Sequence, residues 1–439
     1  MEQQVTSSQQ RGKRRMRFRL RLLLLFLILV SLLTRATVPP AYNFDIYVAV
    51  FTAPYRFDLA GWECTALARK AVAFLRPPAR GLAEPEATSL VRSYLTNAQR
   101  IGELERKIEA IYSDLNAANP DSTTQAIQAE IAALRRQQDY WRPRVEAVIE
   151  AQITTALAAE GLTTANLIWP TVMFHFTEPP NLLIISPRER IANIKNVSLR
   201  PDMSTAEKEA LETEVDTTLG VRSLVEGTGG YSTFPTMVMD QASLAWVLDT
   251  VAHEWTHTYL WFHPLGWHYH DNPGMVTINE TVASLVGEEI SRKVLAEHYP
   301  DLLPPPHPPQ PPGEERTHKP DGFDFNAEMR ATRLAVDKLL AQGHVEEAEA
   351  FMEARRLQFV AAGFHLRKLN QAYFAFHGSY AISPAAVDPI GPKLRQLRAH
   401  TGSLRKFLLT VRSFRSPEDL DRALALTAMA PNPAPAYAP

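Results

Sequence analysis

The hydrophobic pattern changes character several times along the chain. An apolar run from Leu22 to Leu33, broken only by Ser31, follows a stretch in which Arg11, Lys13, Arg14, Arg15, Arg17, Arg19 and Arg21 meet no acidic residue. Residues 41–80 are mixed, and Ala66 to Leu75 predicts a helix stopped by Pro77-Pro78. From about Ser89 to Ala159 apolar residues recur at helical spacing in an Ala-, Glu-, Arg- and Gln-rich background. Leu104, Ile108, Ile111 and Leu115 form one stripe, and Ile127, Ile131 and Leu134 another. The Asn119-Pro120-Asp121 turn between them predicts a helical hairpin.

After Leu162 the spacing shortens. Leu167–Phe176 and Leu182–Ser186 are short apolar runs bounded by Pro179-Pro180 and Pro187, as strands are. Ser204-Thr205-Ala206-Glu207 opens a helix with a capping box. Ser232 to Met239 predicts a strand, and Pro235 within it argues for a sheet edge, since proline cannot donate to a ladder. Two long helices follow, Asp240 to Phe262 and Thr277 to His298. Seven prolines among residues 304–312 predict an extended loop, and helices resume over Phe325–Ala341, Val345–Phe364 and Leu366–Phe376. The fold class expected is α+β and mostly helical, with a small sheet packed on the 240–262 helix. The expected divisions are 1–40, 41–160, 161–300, 301–322 and 323–430.

Composition narrows the function. Among 439 residues, 46 Lys+Arg face 48 Asp+Glu, so no basic domain speaks for nucleic acid. The single cysteine, Cys64, excludes an intramolecular disulfide framework and any all-cysteine metal cluster. The basic stretch and apolar run at the N-terminus predict a signal peptide or a single membrane anchor, with the basic flank cytoplasmic and the remainder outside the cytoplasm. The chain would then be held at the cell membrane through this segment, or secreted if the segment is cleaved.

The segment that carries chemistry is His253-Glu254-Trp255-Thr256-His257, inside the first long helix. Residues i and i+4 stand one above the other on a helix, so both imidazoles can reach one metal ion about 2.0–2.1 Å away. Glu254 falls where a carboxylate reaches a metal-bound water rather than the metal. Two surface or core histidines on an ordinary helix would give the same letters. A catalytic zinc needs a third protein ligand. Glu280, 23 residues after His257, is the candidate, because two antiparallel helices would bring it over the histidines. Thr277-Ile278-Asn279-Glu280 also fits a capping box, so Glu280 has a competing role as a cap. His263, His268, His270 and Asp271 crowd the intervening loop, as rim residues or as a second site. Glu288 and Glu289 are placed to orient a ligand histidine or to form a solvated face.

His253-Glu254-x-x-His257 with Asn279-Glu280-x-x-Ala283 resembles the Glu-zincin metallopeptidases, in which a helix-borne Glu is the third zinc ligand. The wider pattern resembles a group of bacterial proteins described as aminopeptidases, through Tyr231 to Met239, Asn279-Glu280-Thr281, Leu369-Asn370-Gln371-Ala372-Tyr373 and Tyr380. The resemblance spans residues 160–425, and the gap to Glu280 is a few residues longer than in thermolysin-like members. It implies a zincin-like core, one Zn2+ held by His253, His257 and Glu280, and Glu254 as general base. It also implies an oxyanion donor from a later helix, with Tyr380 first, then Tyr373 and His377. The expected partner is a peptide or protein substrate, and the 232–239 strand either offers an edge that pairs with its extended backbone or is a plain sheet strand. The competing expectation is a non-catalytic envelope protein that binds a partner through the helical hairpin or the proline-rich segment.

Overall fold

The computed structural model describes residues 22–27, 43–75, 77–113, 120–303, 323–379, 383, 385–387 and 389–429. The chain divides into two compact units at Phe51/Thr52. In the first, residues 22–27 are helical and α1 (Phe44–Thr52) runs to the boundary. The membrane span expected at the N-terminus is not supported. Among the described residues no helix is long and apolar enough to cross a membrane. The basic residues Arg11 to Arg21 lie outside the described residues, as do 28–42 and the proline-rich 304–322.

The second unit is mostly α, with small sheets. Its helices are α2 (Leu59–Leu75), α3 (Glu84–Ser113), α4 (Pro120–Ala159), α5 (Thr205–Leu219), α6 (Leu244–Leu260), α7 (Pro264–Trp267), α8 (Pro273–His298), α9 (Phe325–Ala341), α10 (Val345–Ala361), α11 (Gln371–His377), α12 (Ile390–His400), α13 (Leu404–Val411) and α14 (Glu418–Met429). The expected hairpin is α3 against α4. Ser204 caps α5 with the reciprocal Glu207 bond that the sequence pattern predicts.

The strands are shorter than the apolar runs suggest. Leu167–Phe176 is two strands, because Pro170 interrupts it. Strand β1 (Thr163–Thr164) pairs with β2 (Leu167–Ile168) in a hairpin, and β3 (Phe174–Phe176) joins a different sheet. A second sheet has the order β5-β4-β6, with β4 (Asn181–Pro187) between β5 (Lys195–Leu199) and β6 (Val221–Gly227). A third has the order β3-β8-β7, with β7 (Gly230–Tyr231) and β8 (Thr236–Val238). The 232–239 strand is therefore not an edge. Pro235 stands just outside β8, which leaves every residue of that strand free to pair, and β8 lies in the middle with β3 on one side and β7 on the other. The edge is β7.

The main core joins α3, α4, α6, α8 and the C-terminal helices α12 to α14. Val247, Leu248, Val251, Ile278, Val282, Val286 and Ile290 are fully buried in it. Close approach of α6 and α8 depends on Gly287: a Cβ there would lie 2.5 Å from Asp249 Oδ1 and 2.8 Å from the Asp249 carbonyl.

Helix carboxylates close the outer side of β3. Glu150 accepts from the Phe174 N–H and Glu146 from the Phe176 N–H, both at 2.9 Å. The match is geometric, since one helical turn and two strand residues both advance about 6 Å. Lys70 Nζ bonds both carboxylates at 2.7 Å. Burial opposes a charge on either acid. Lys70 and His175 overcome it at Glu146, which stays low, whereas burial dominates at Glu150 and raises it to about 7.

A carboxyl whose folded-state value exceeds its unfolded one stabilises most below the unfolded value, near 4.5 here, and loses that contribution as pH climbs to about 7. Glu150→Gln should flatten this part of the stability–pH curve, by roughly 1–3 kcal/mol between those limits. Denaturant titrations at several pH values measure it, and parallel curves for both proteins would contradict the assignment.

Candidate metal centre

Helix α6 starts where Ser243 caps it, its side chain accepting from the Trp246 N–H. Apolar residues on one side of α6 fasten it to the core, which leaves His253, Glu254 and His257 facing away from that packing. Helix α8 starts earlier than the sequence suggests. Asn272 is its N-cap and accepts from the Met275 N–H, with Pro273 at the first helical position. Thr277 therefore lies inside the helix, its hydroxyl donating to the Pro273 carbonyl. The capping alternative for Glu280 falls away, because Glu280 is in the helix interior.

The two helices bring three donor atoms together. His253 Nε2 and His257 Nε2 are 3.0 Å apart, and each is 3.5 Å from Glu280 Oε2. A triangle with those sides has a centre about 2 Å from each corner, the distance zinc takes to imidazole nitrogen and carboxylate oxygen. Among the described residues this is the one group of three or more such side chains placed to share a metal ion. The histidine side chains are 14% exposed and Glu280 7%, so the donors are shielded but reachable.

Neighbours fix the orientation of these donors. Asn279 Oδ1 accepts from His257 Nδ1 at 2.7 Å, while Asn279 Nδ2 reaches the Leu265 carbonyl. With Nδ1 carrying its proton, His257 presents Nε2 to the group. The Tyr269 hydroxyl donates to Glu280 Oε1 at 2.6 Å, which turns Oε2 toward the histidines. Oε2 is buried and has no hydrogen-bond partner. Burial works against charge on both His257 and Glu280, but their mutual attraction prevails. It lifts His257 to about 9 and holds Glu280 far below the usual carboxylate range. The group thus favours a positive charge at its centre, a proton or a metal ion. Two imidazole nitrogens and one carboxylate oxygen, the latter buried and without a hydrogen-bond partner, are a donor set that could hold a metal ion such as zinc.

Glu254 is buried beside the group, and burial raises its carboxyl. Strand β7 passes so near that a Cβ on Gly230 would lie 2.7 Å from Glu254 Oε1 and 2.6 Å from Thr250 Cγ2. The absence of a side chain at Gly230 is needed for this approach. Ser232 Oγ donates to the Glu254 carbonyl at 3.3 Å.

Other sequence candidates lie elsewhere. His268 bonds Asp271 at 2.6 Å, His263 packs on Tyr259, and His270 packs on Tyr269. Glu289 is held by Arg398 at 2.6 Å and Glu288 by Arg292 at 2.7 Å, so their recorded bonds go to arginines and not to the ligand histidines. The Tyr373 and His377 rings touch at a tilt, 4.2 Å between ring centres, on α11 against the β4–β6 sheet. Burial pushes His377 down to about 4. Tyr380 lies outside the described residues. Tyr269 and the bond made by Asn279 escaped the sequence reading. Asn279 was visible as the neighbour of Glu280, but Tyr269 depends on the path of the loop and no spacing rule reaches it.

Removing the Tyr269 hydroxyl should weaken metal binding about tenfold, the scale on which partners of metal ligands act. Competition of the Tyr269→Phe protein against a zinc chelator measures this, and an unchanged affinity would leave Tyr269 no orienting role. Set against known proteins, the chain matches no protein-family profile, no curated protein and no solved structure.

Proposed function

We propose that the chain is a zinc-dependent peptidase of the Glu-zincin kind, with a zincin-like core formed by α6, α8 and the β3-β8-β7 sheet. The observation that carries this reading is the donor triangle of His253, His257 and Glu280 with Glu254 buried beside it. A structural site has no need of a base there. Zinc bound by the three residues would polarise a substrate carbonyl and lower the pKa of water toward neutrality.

The protein's own groups do the rest. Glu254, whose burial favours proton uptake, accepts the proton of the attacking water and delivers it to the leaving amine. Asn279 and Tyr269 hold the ligands in register. Strand β7, a terminal strand of its sheet and adjacent to Glu254, takes over the role the sequence reading gave to 232–239, pairing with an extended substrate backbone.

Two substitutions test the reading. Purified protein should contain about one zinc per chain, and Glu280→Ala should lose it or bind it far more weakly, as atomic absorption would record. Glu254→Gln should keep its zinc and lose peptide hydrolysis by roughly 10²–10⁴-fold. A folded, metal-replete wild type without zinc sinks the proposal, and an active Glu254→Gln protein removes the general base.

A further inference from the structure

Four large aromatic side chains stand out of the surface near the C-terminal end of α6. Trp261 is 71% exposed, Trp267 64%, Trp169 59% and Phe262 48%. Single exposed apolar residues are ordinary, but a connected set marks an interaction site. These form two pairs: Trp267 Nε1 donates to the Trp261 carbonyl at 2.9 Å, and the Trp169 and Phe262 rings are 5.9 Å apart.

The pairs lie on different sides of α6. Trp261 comes four residues after His257 and seven after Glu254. At 3.6 residues per turn it stands about 40° from the first and about 20° from the second around the axis, roughly 6 Å beyond His257. It therefore extends the face that carries the ligands and the base. Trp267, bonded to the Trp261 carbonyl, comes two residues before Tyr269, whose hydroxyl rests on Glu280. Phe262 lies a further 100° or so round the axis. It stands with Trp169 by the segment where Trp255 Nε1 donates to the Pro170 carbonyl.

We infer that Trp261 and Trp267 form an aromatic shelf at the rim of the metal group, which receives an apolar, preferentially aromatic, side chain of the substrate. The inference rests on the peptidase reading and names its substrate class. Trp267 has its one donor engaged with a backbone carbonyl, so its ring offers an apolar face rather than a hydrogen bond. The polar neighbours His268 and Asp271 bond each other. Indole rings present large rigid faces with only two side-chain torsions to fix, and aromatic pairs gain beyond the area they bury.

The test separates binding from turnover. Zinc-loaded full-length Glu254→Gln protein is titrated calorimetrically with blocked pentapeptides in which Phe, Leu or Gly occupies each position in turn. Phe at one position should bind about tenfold tighter than Gly. Trp261→Ala in the same background should bring the two within about twofold while zinc content and Tm stay unchanged, and Trp261→Phe should restore the preference. No Phe preference at any position, or a preference that survives both Trp261→Ala and Trp267→Ala, overturns the shelf. So does a loss confined to association with anionic phospholipid vesicles, which would assign these rings to a lipid surface. Wild-type turnover is scored separately. If no peptide is cut but the Trp261-dependent Phe preference persists, only the peptidase reading fails.

Discussion

Close packing of α6 against α8 is the constraint on which the rest depends. One helix carries two imidazoles and the other a carboxylate, and their donor atoms meet within 3.5 Å because Gly287 lets α8 reach the α6 backbone at Asp249. Interiors are packed densely enough that an extra methyl at such a contact moves a backbone. The apolar faces of both helices are buried in one core, so the position of the donors is set by many small contacts rather than by the metal. A group arranged this way needs no ion to assemble it, and its electrostatics favour positive charge.

The sheets are secured by the same economy of side chains. Strands of two to seven residues offer few ladder bonds, and exposed strand edges invite unwanted pairing. Glu146 and Glu150 close β3. On the second sheet Glu212 accepts from the Val225 N–H, Arg367 donates to the Val225 carbonyl and Asn370 to the Ser223 carbonyl, so β6 is closed as well. Arg367 also pairs with Glu212, which offsets the cost of burying that carboxylate. Residues 55–57 cover β5, with Phe57 donating to the Ser198 carbonyl and the Tyr55 carbonyl accepting from Arg200.

The helices and the two histidines of the donor group were legible in the sequence because both obey local periodicity. His253 and His257 are one turn apart, and the apolar residues around them follow the same period. Strand positions were not legible to that degree. Whether Pro235 lies within a strand or just before it, and whether β8 is central or outer, is decided by partners far along the chain, Phe174 to Phe176 and Gly230 to Tyr231. Glu280 was singled out, but a capping role stayed open for it until Asn272 supplied the true cap. Tyr269 was invisible for the same reason as the edges, because it acts across a loop whose path only the folded chain defines.

The residues that hold the donors and those that form the rim belong to different parts of the chain. The donors ride on two long helices locked into the core. The rim, Trp261 to Asp271, is the connection between them, tied to the donors through the Tyr269 hydroxyl and the Leu265 carbonyl. Connections of this sort tolerate changes of length and composition far better than packed helices do. The connection can therefore change in length and composition while the three donors keep their places, so that under the proposed reading selectivity would be free to drift over generations while the chemistry stayed fixed.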